Sequence, residues 1–175
     1  YFGFPFMQDN YEFWDYNGDG IHDHLYSGYV HPDHIAGEIH LGDSNFDDVI
    51  DVEAPKCGLY SAKLRDFNGD GYGDVAMGDP GWTYSYDDPY DGPQTFGGAG
   101  RTVVMFGNEA TPATCDDMPV QITGAHSGAG ISNPMDAGDL DGDGDLDAFV
   151  ANLNGQANKV WINDGSGNFF GCICK

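Results

Sequence analysis

Positive charge is what this 175-residue chain has least of: six lysines and arginines stand against 29 acidic residues, for a formal net charge of −23. So negative a surface repels nucleic acid and anionic membranes, which argues against both as partners. Glutamate is scarce too, limited to Glu12, Glu38, Glu53 and Glu109, so the remaining acids are aspartate. With few Lys, Arg and Glu to populate helix surfaces, and with 27 glycines, turns and strands are favoured over helices. No apolar run approaches membrane-spanning length, no signal peptide is visible and there is no Asn-x-Ser/Thr sequon. GxSxG, HExxH and P-loop signatures are missing, so an enzyme is not expected. Neither an RGD sequence nor a DxSxS adhesion motif is present.

The aspartate that is there is patterned. Asp66 to Asp74 reads DFNGDGYGD, and two further copies stand at Asp15 to Asp23 (DYNGDGIHD) and Asp139 to Asp147 (DLDGDGDLD). In each, oxygen-bearing side chains occupy the first, third, fifth and ninth positions: Asp15, Asn17, Asp19 and Asp23; Asp66, Asn68, Asp70 and Asp74; Asp139, Asp141, Asp143 and Asp147. Glycine holds the fourth and sixth positions. Ca²⁺ is a hard cation that takes about six to eight oxygen ligands, and alternate oxygens on a glycine-hinged turn can wrap it. The seventh residue, Ile21, Tyr72 or Asp145, would then offer its backbone carbonyl. An EF-hand is excluded, because the twelfth position is Tyr26, Met77 or Val150 where that loop needs a bidentate Glu. Three calcium sites are expected, which would bring the net charge to −17.

The second copy continues as DFNGDGYGDVAMGDPG with GGAGRTVVMFG at 97–107, which resembles the FG-GAP repeat of integrin alpha-subunit β-propellers. The third, DAGDLDGDGDLDAFVANLNGQANKVWINDGSGNFF, is similar to the related VCBS-type repeat. The resemblance implies that each repeat is about one four-stranded propeller blade. It also implies that the loop binds Ca²⁺ through its first, third, fifth and ninth side chains and its seventh carbonyl. The first copy keeps the loop but has no clear GAP-like segment, and Asp79 stands where the repeat has a small residue.

The expected fold is all-β: three antiparallel units, approximately 1–58, 59–125 and 126–175, within one domain. Strands are read at Leu25 to Val30, Glu38 to Leu41, Val49 to Val52, Leu59 to Leu64, Thr102 to Phe106, Val120 to Thr123, Ala148 to Leu153 and Lys159 to Ile162. Phe2, Phe4 and Phe6 alternate as on a strand, either in this chain's own sheet or donated to a neighbour's edge. Asp43, Asn45, Asp47 and Asp51 repeat the oxygen spacing without the glycines, and LGDSNF instead matches the hairpin turn INDGSGNF, so no fourth site is assigned. Histidines 22, 24, 31, 34 and 40 cluster without a convergent metal pattern.

Trp82 to Gly98 is too long for an ordinary hairpin and is rich in aromatics and acids. Trp82, Tyr84, Tyr86 and Tyr90 beside Asp87, Asp88 and Asp91 suit a sugar face, a protein contact or a cover over the chain's own sheet. Cys57, Cys115, Cys172 and Cys174 are an even set without zinc spacing, so disulfides in an oxidising compartment are expected. A bond between Cys172 and Cys174 would be strained. Each is therefore expected to pair with one of Cys57 and Cys115, a bond to a neighbouring chain remaining open.

Three blades do not close a propeller, and an open array leaves exposed edges. The reading that follows is an extracellular, non-enzymatic calcium-binding protein with a structural or adhesive role, joining copies head to tail into a fibril or ring. A carbohydrate-binding module using 82–90, or a piece of a longer β-propeller, is the alternative.

Overall fold

Aspartate and glycine punctuate short apolar runs, and the strands form between them. A computed structural model describes residues 10–31, 34–42, 49–55, 57, 61–124, 127–131, 135–151 and 157–173. Among these residues the chain is all-β, without an α-helix or a closed barrel. The aromatic stretch at 1–6 and the segment at 43–48 lie outside the described residues, as does Cys174.

Three four-stranded antiparallel sheets follow one another. The first contains β1 (Asn10–Trp14), β2 (Asp23–His31), β3 (His34–His40) and β4 (Val52–Ala54), side by side in chain order. The second contains β5 (Ser61–Arg65), β6 (Asp74–Asp79), β9 (Arg101–Met105) and β10 (Val120–Thr123). Between β6 and β9 the chain leaves this sheet to form a separate hairpin, β7 (Tyr84–Asp88) and β8 (Gly92–Phe96). The third contains β11 (Met135–Gly138), β12 (Asp147–Val150), β13 (Lys159–Asn163) and β14 (Phe169–Ile173), again in chain order.

Register is the same in all three sheets at the point that matters. Each nine-residue loop joins the first strand to the second, and its ninth aspartate pairs across the ladder with the residue just before the loop: Trp14 with Asp23, Arg65 with Asp74, Gly138 with Asp147.

The second sheet is sandwiched. On one face Leu64, Val75, Met77, Val103 and Met105 pack with Leu25, Ile39 and Tyr16 of the first unit. On the other, Ala76, Val104 and Phe67 pack with Met135, Ala137 and Phe169 of the third. Burial on both faces explains why β6 and β9 read as continuous apolar runs rather than alternating ones. Charge links the first strands: Glu12 on β1 accepts from Lys63 (2.7 Å) and Arg65 (2.9 Å) on β5, and Lys63 lies 3.6 Å from Asp136 on β11.

Three expectations need correction. The run at Val49 is not a strand; Val49 and Ile50 are exposed, the His40 ring bonds the Val49 carbonyl (2.8 Å), and the strand begins at Val52. The 82–98 segment is a hairpin after all. The Tyr84, Tyr86 alternation pairs with Phe96 and Gln94, and a turn at 89–91 closes on Gly92, whose φ of 74° only glycine adopts freely. Cys57 and Cys115 pair with each other, Cα atoms 5.5 Å apart, rather than with the C-terminal cysteines. The segments following β4 and β9 converge on the core between the first two sheets, which buries both sulfurs there.

Candidate metal centre

One hydrogen-bond scheme builds all three loops. The carboxylate at the first position turns back over the glycines. Asp15 accepts from the backbone N–H of Gly18 (2.7 Å) and Gly20 (2.7 Å), Asp66 from Gly69 (2.8 Å) and Gly71 (3.0 Å), and Asp139 from Gly142 (2.6 Å) and Gly144 (3.2 Å). These six glycines all have positive φ, which is why an L side chain is avoided there. The third-position oxygen accepts from the fifth N–H, and the fifth carboxylate from the seventh N–H: Asp19 from Ile21 (2.7 Å), Asp70 from Tyr72 (2.9 Å), Asp143 from Asp145 (3.0 Å).

The ninth aspartate is fully buried in each loop and works in two directions. One oxygen accepts from the second loop residue: Asp23 from Tyr16 (2.6 Å), Asp74 from Phe67 (2.8 Å), Asp147 from Leu140 (2.8 Å). The other accepts from the residue at the end of the third strand or just beyond it: Gly42 (2.7 Å), Gly107 (3.1 Å) and Asn163 (2.9 Å). Each carboxylate thus staples its loop to the sheet. Gly42 and Gly107 are required because a Cβ would collide with the carbonyl of His22 or Gly73. The third sheet departs from this rule. Asn163 stands in the glycine's place and donates its amide to Leu146 O (3.0 Å) and to Phe67 O of the second loop. The first and second loops are joined more simply, Gly73 N–H donating to Tyr16 O (3.3 Å).

Carboxylates converge most fully in the third loop. One oxygen each of Asp139, Asp141 and Asp147 lies within 4.8 Å of the others, a triad that could hold a metal ion. The sequence leads one to expect three calcium sites; among the described residues a triad of acids of this kind forms in the third loop alone. The reason is local: in the first two loops the third position is an amide, and Asn17 and Asn68 each donate to the fifth carboxylate, Asp19 or Asp70, at 3.0 Å. All the side chains at these positions offer oxygen, and none offers imidazole or thiolate, a donor set suited to a hard cation. Burial pushes the Asp74 carboxyl up to about 7; the N–H groups of Gly107 and Phe67 pull it down, and Asp70 adds to the rise.

The hairpin carries a second cluster. Neighbouring rings have near-parallel planes: Trp82 and Tyr84 at 5.6 Å, Tyr84 and Tyr86 at 5.5 Å, Tyr86 and Phe96 at 6.1 Å. Arg101 lies 4.9 Å from the Trp82 ring and bonds Asp116 (2.6 Å), with Asp79 at 4.0 Å, which accounts for an acid at position 79. Tyr90 stands apart, almost wholly exposed on the turn that Asp88 caps. Phe96 belongs to the row and was not singled out in the sequence; its cross-strand place opposite Tyr84 follows from the turn geometry.

Of the five clustered histidines, His24 and His40 pair across strands with rings 5.9 Å apart, and His24 packs under Phe13 and Tyr11. Burial, and then His40, hold His24 below its usual pKa. His22 stacks on Trp14 instead, and the side chains of His31 and His34 are not described. Among the described residues no helix is long and apolar enough to cross a membrane. Compared with known proteins, the chain matches no family model and no curated sequence.

Proposed function

We propose that this is an extracellular, non-enzymatic calcium-binding β-repeat protein with a structural or adhesive role, in which each loop takes one Ca²⁺ to fix a propeller-like blade. The observation that carries it is the shared hydrogen-bond scheme: three loops, different in sequence, hold their oxygen side chains in one arrangement anchored by a buried aspartate. The ligands would be the side chains at positions one, three, five and nine and the carbonyls of Ile21, Tyr72 and Asp145. The metal's role is structural. If each site sits at about tenfold its Kd, three sites add roughly 4 kcal/mol, a sizeable part of a typical stability of about 5 to 15 kcal/mol. The buried Cys57–Cys115 disulfide is compatible with an oxidising compartment, where calcium is also abundant.

The test is thermal melting with calcium and with EDTA. Chelation is expected to lower Tm by several degrees, and calcium to restore it; identical melts in both conditions would remove the metal from the fold.

A second reading is favoured by the exposed aromatic row of the hairpin. Rings beside Asp88 and Gln94 form a surface on which a sugar could stack while its hydroxyls meet polar groups.

A further inference from the structure

The junctions between units follow a rule that the third unit leaves unfinished. At each junction one unit presents three side chains: the second residue of its loop, the residue two places beyond the loop's ninth aspartate, and that residue's cross-strand partner. For the first unit these are Tyr16, Leu25 and Ile39, and for the second Phe67, Ala76 and Val104. All six are buried, Tyr16 at 6% and Phe67 at 2% exposure. The same positions in the third unit are Leu140, Phe149 and Val160. Leu140 is 52% exposed, and Phe149 and Val160 are only partly covered. Leu140 and Phe149 line a shallow, largely apolar hollow of about 320 Å³ together with the segment 136–138.

The receiving half of such a junction is also present at the other end of the array, where its described residues are exposed. In the second unit it includes Ala62 and Leu64 of β5, and in the third Met135 and Ala137 of β11. By register the matching positions of β1 are Tyr11 and Phe13, which are 55% and 57% exposed. Side-chain size is exchanged to match. Where the loop contributes a large ring, Tyr16 or Phe67, the receiving first strand offers smaller or flexible side chains, Ala62 and Leu64 or Met135 and Ala137, with Phe169 meeting Phe67 edge-on from β14. Where it contributes the smaller Leu140, the positions left to oppose it carry Tyr11 and Phe13.

We propose that the sheet face bearing Leu140, Phe149 and Val160 docks onto the face bearing Tyr11 and Phe13 of a second copy of this chain, repeating the internal junction between molecules. The contact is heterologous, so copies add head to tail, closing into a ring if the rotation allows and extending as a filament if it does not. It joins faces of sheets rather than strand edges, so it requires no new ladder hydrogen bonds. No lysine or arginine of the second copy occupies the β1 positions matching Lys63 and Arg65, which are Glu12 and Trp14. Asp136 would instead meet Glu12, and both copies are acidic, so burial of apolar surface drives the contact and added salt strengthens it by screening the repulsion. The inference rests on the structural role proposed above and is independent of the metal.

Sedimentation velocity in calcium buffer, across roughly 1 to 200 μM protein, tests it with Leu140→Asp and Phe13→Asp, both exposed positions at which folding can be checked by melting. The native chain is expected to gain mass with concentration, reaching a plateau for a ring or continuing for a filament. Each variant should weaken association by at least about tenfold, and an equimolar mixture of the two should recover a one-to-one dimer through the single intact junction. A native chain that stays monomeric throughout, or association that survives both substitutions, overturns the proposal and leaves the face to another protein or another repeat. A mixture that does not recover shows that the two faces do not dock on each other, which also overturns it. Melting the same samples with EDTA keeps the outcomes separate: a monomer still stabilised by calcium refutes the docking and leaves the metal reading standing.

Discussion

A buried carboxylate needs hydrogen-bond donors around it, and Asp23, Asp74 and Asp147 take theirs from matching backbone N–H groups. For Asp74 the balance is close, with burial lifting its pKa from 3.8 to about 7 in the metal-free chain. Between those values the folded chain holds a proton that the unfolded chain has released, so the metal-free fold loses stability as pH rises through that window. A calcium ion taken up as proposed would reverse the balance, since a ligating carboxylate must be ionised. Binding at the second loop should therefore release a proton below about pH 7 and tighten as pH rises. Calorimetric titration near pH 6 in two buffers of different ionisation heat is expected to give different apparent enthalpies, converging near pH 8. Equal enthalpies at both pH values would mean that Asp74 is ionised before the metal arrives. The positions of these oxygens were legible in the sequence because side-chain identity at fixed spacing dictates the turn. The anchor beyond the third strand was not. Gly42, Gly107 and Asn163 look unrelated until their N–H groups are seen donating to the same carboxylate oxygen.

At the scale of elements, apolar runs set between Asp- and Gly-rich turns mark most of the strands. Apolar pattern misleads at Val49 and Ile50, which lie in the open, and segment length misleads at 82–98, which closes as a hairpin on its own turn at 89–91. That hairpin stands clear of the three sheets, so its ring row, rather than a buried core, holds its exposed face in shape. If the row is a sugar platform, Tyr86→Ala should lower binding to its glycan by at least about tenfold while changing the melting temperature by no more than a few degrees. Trp82→Ala is the harsher variant, because it also removes the ring beside Arg101. A glycan array without signal for the native chain, or binding unaffected by Tyr86→Ala, would return the hairpin to a purely structural part.

In the molecule as a whole, the three units are held by different means, and their responses to damage should differ accordingly. The first and second sheets share the larger core and the buried Cys57–Cys115 bond, whereas the third is attached through two smaller clusters, one around Phe67 and Met135 and one around Ile122 and Val150, and through the Asn163 amide. The pairing was hidden in the sequence because it depends on two long connections ending at the same place, which local pattern does not encode. Its closed loop spans 58 residues, for which the chain-entropy model assigns about 4 kcal/mol of stability through restriction of the unfolded chain. Replacing both cysteines by serine is expected to reduce unfolding free energy by an amount of that order in urea titration. Hydrogen exchange should then show where the loss falls. Amides of β1 to β4 should lose protection first, because the bond holds their sheet to the second, while those of β11 to β14 should keep theirs until global unfolding. A loss under about 1 kcal/mol would mean that the core alone holds the first two sheets together, and protection falling evenly across all three sheets would mean that they unfold as one.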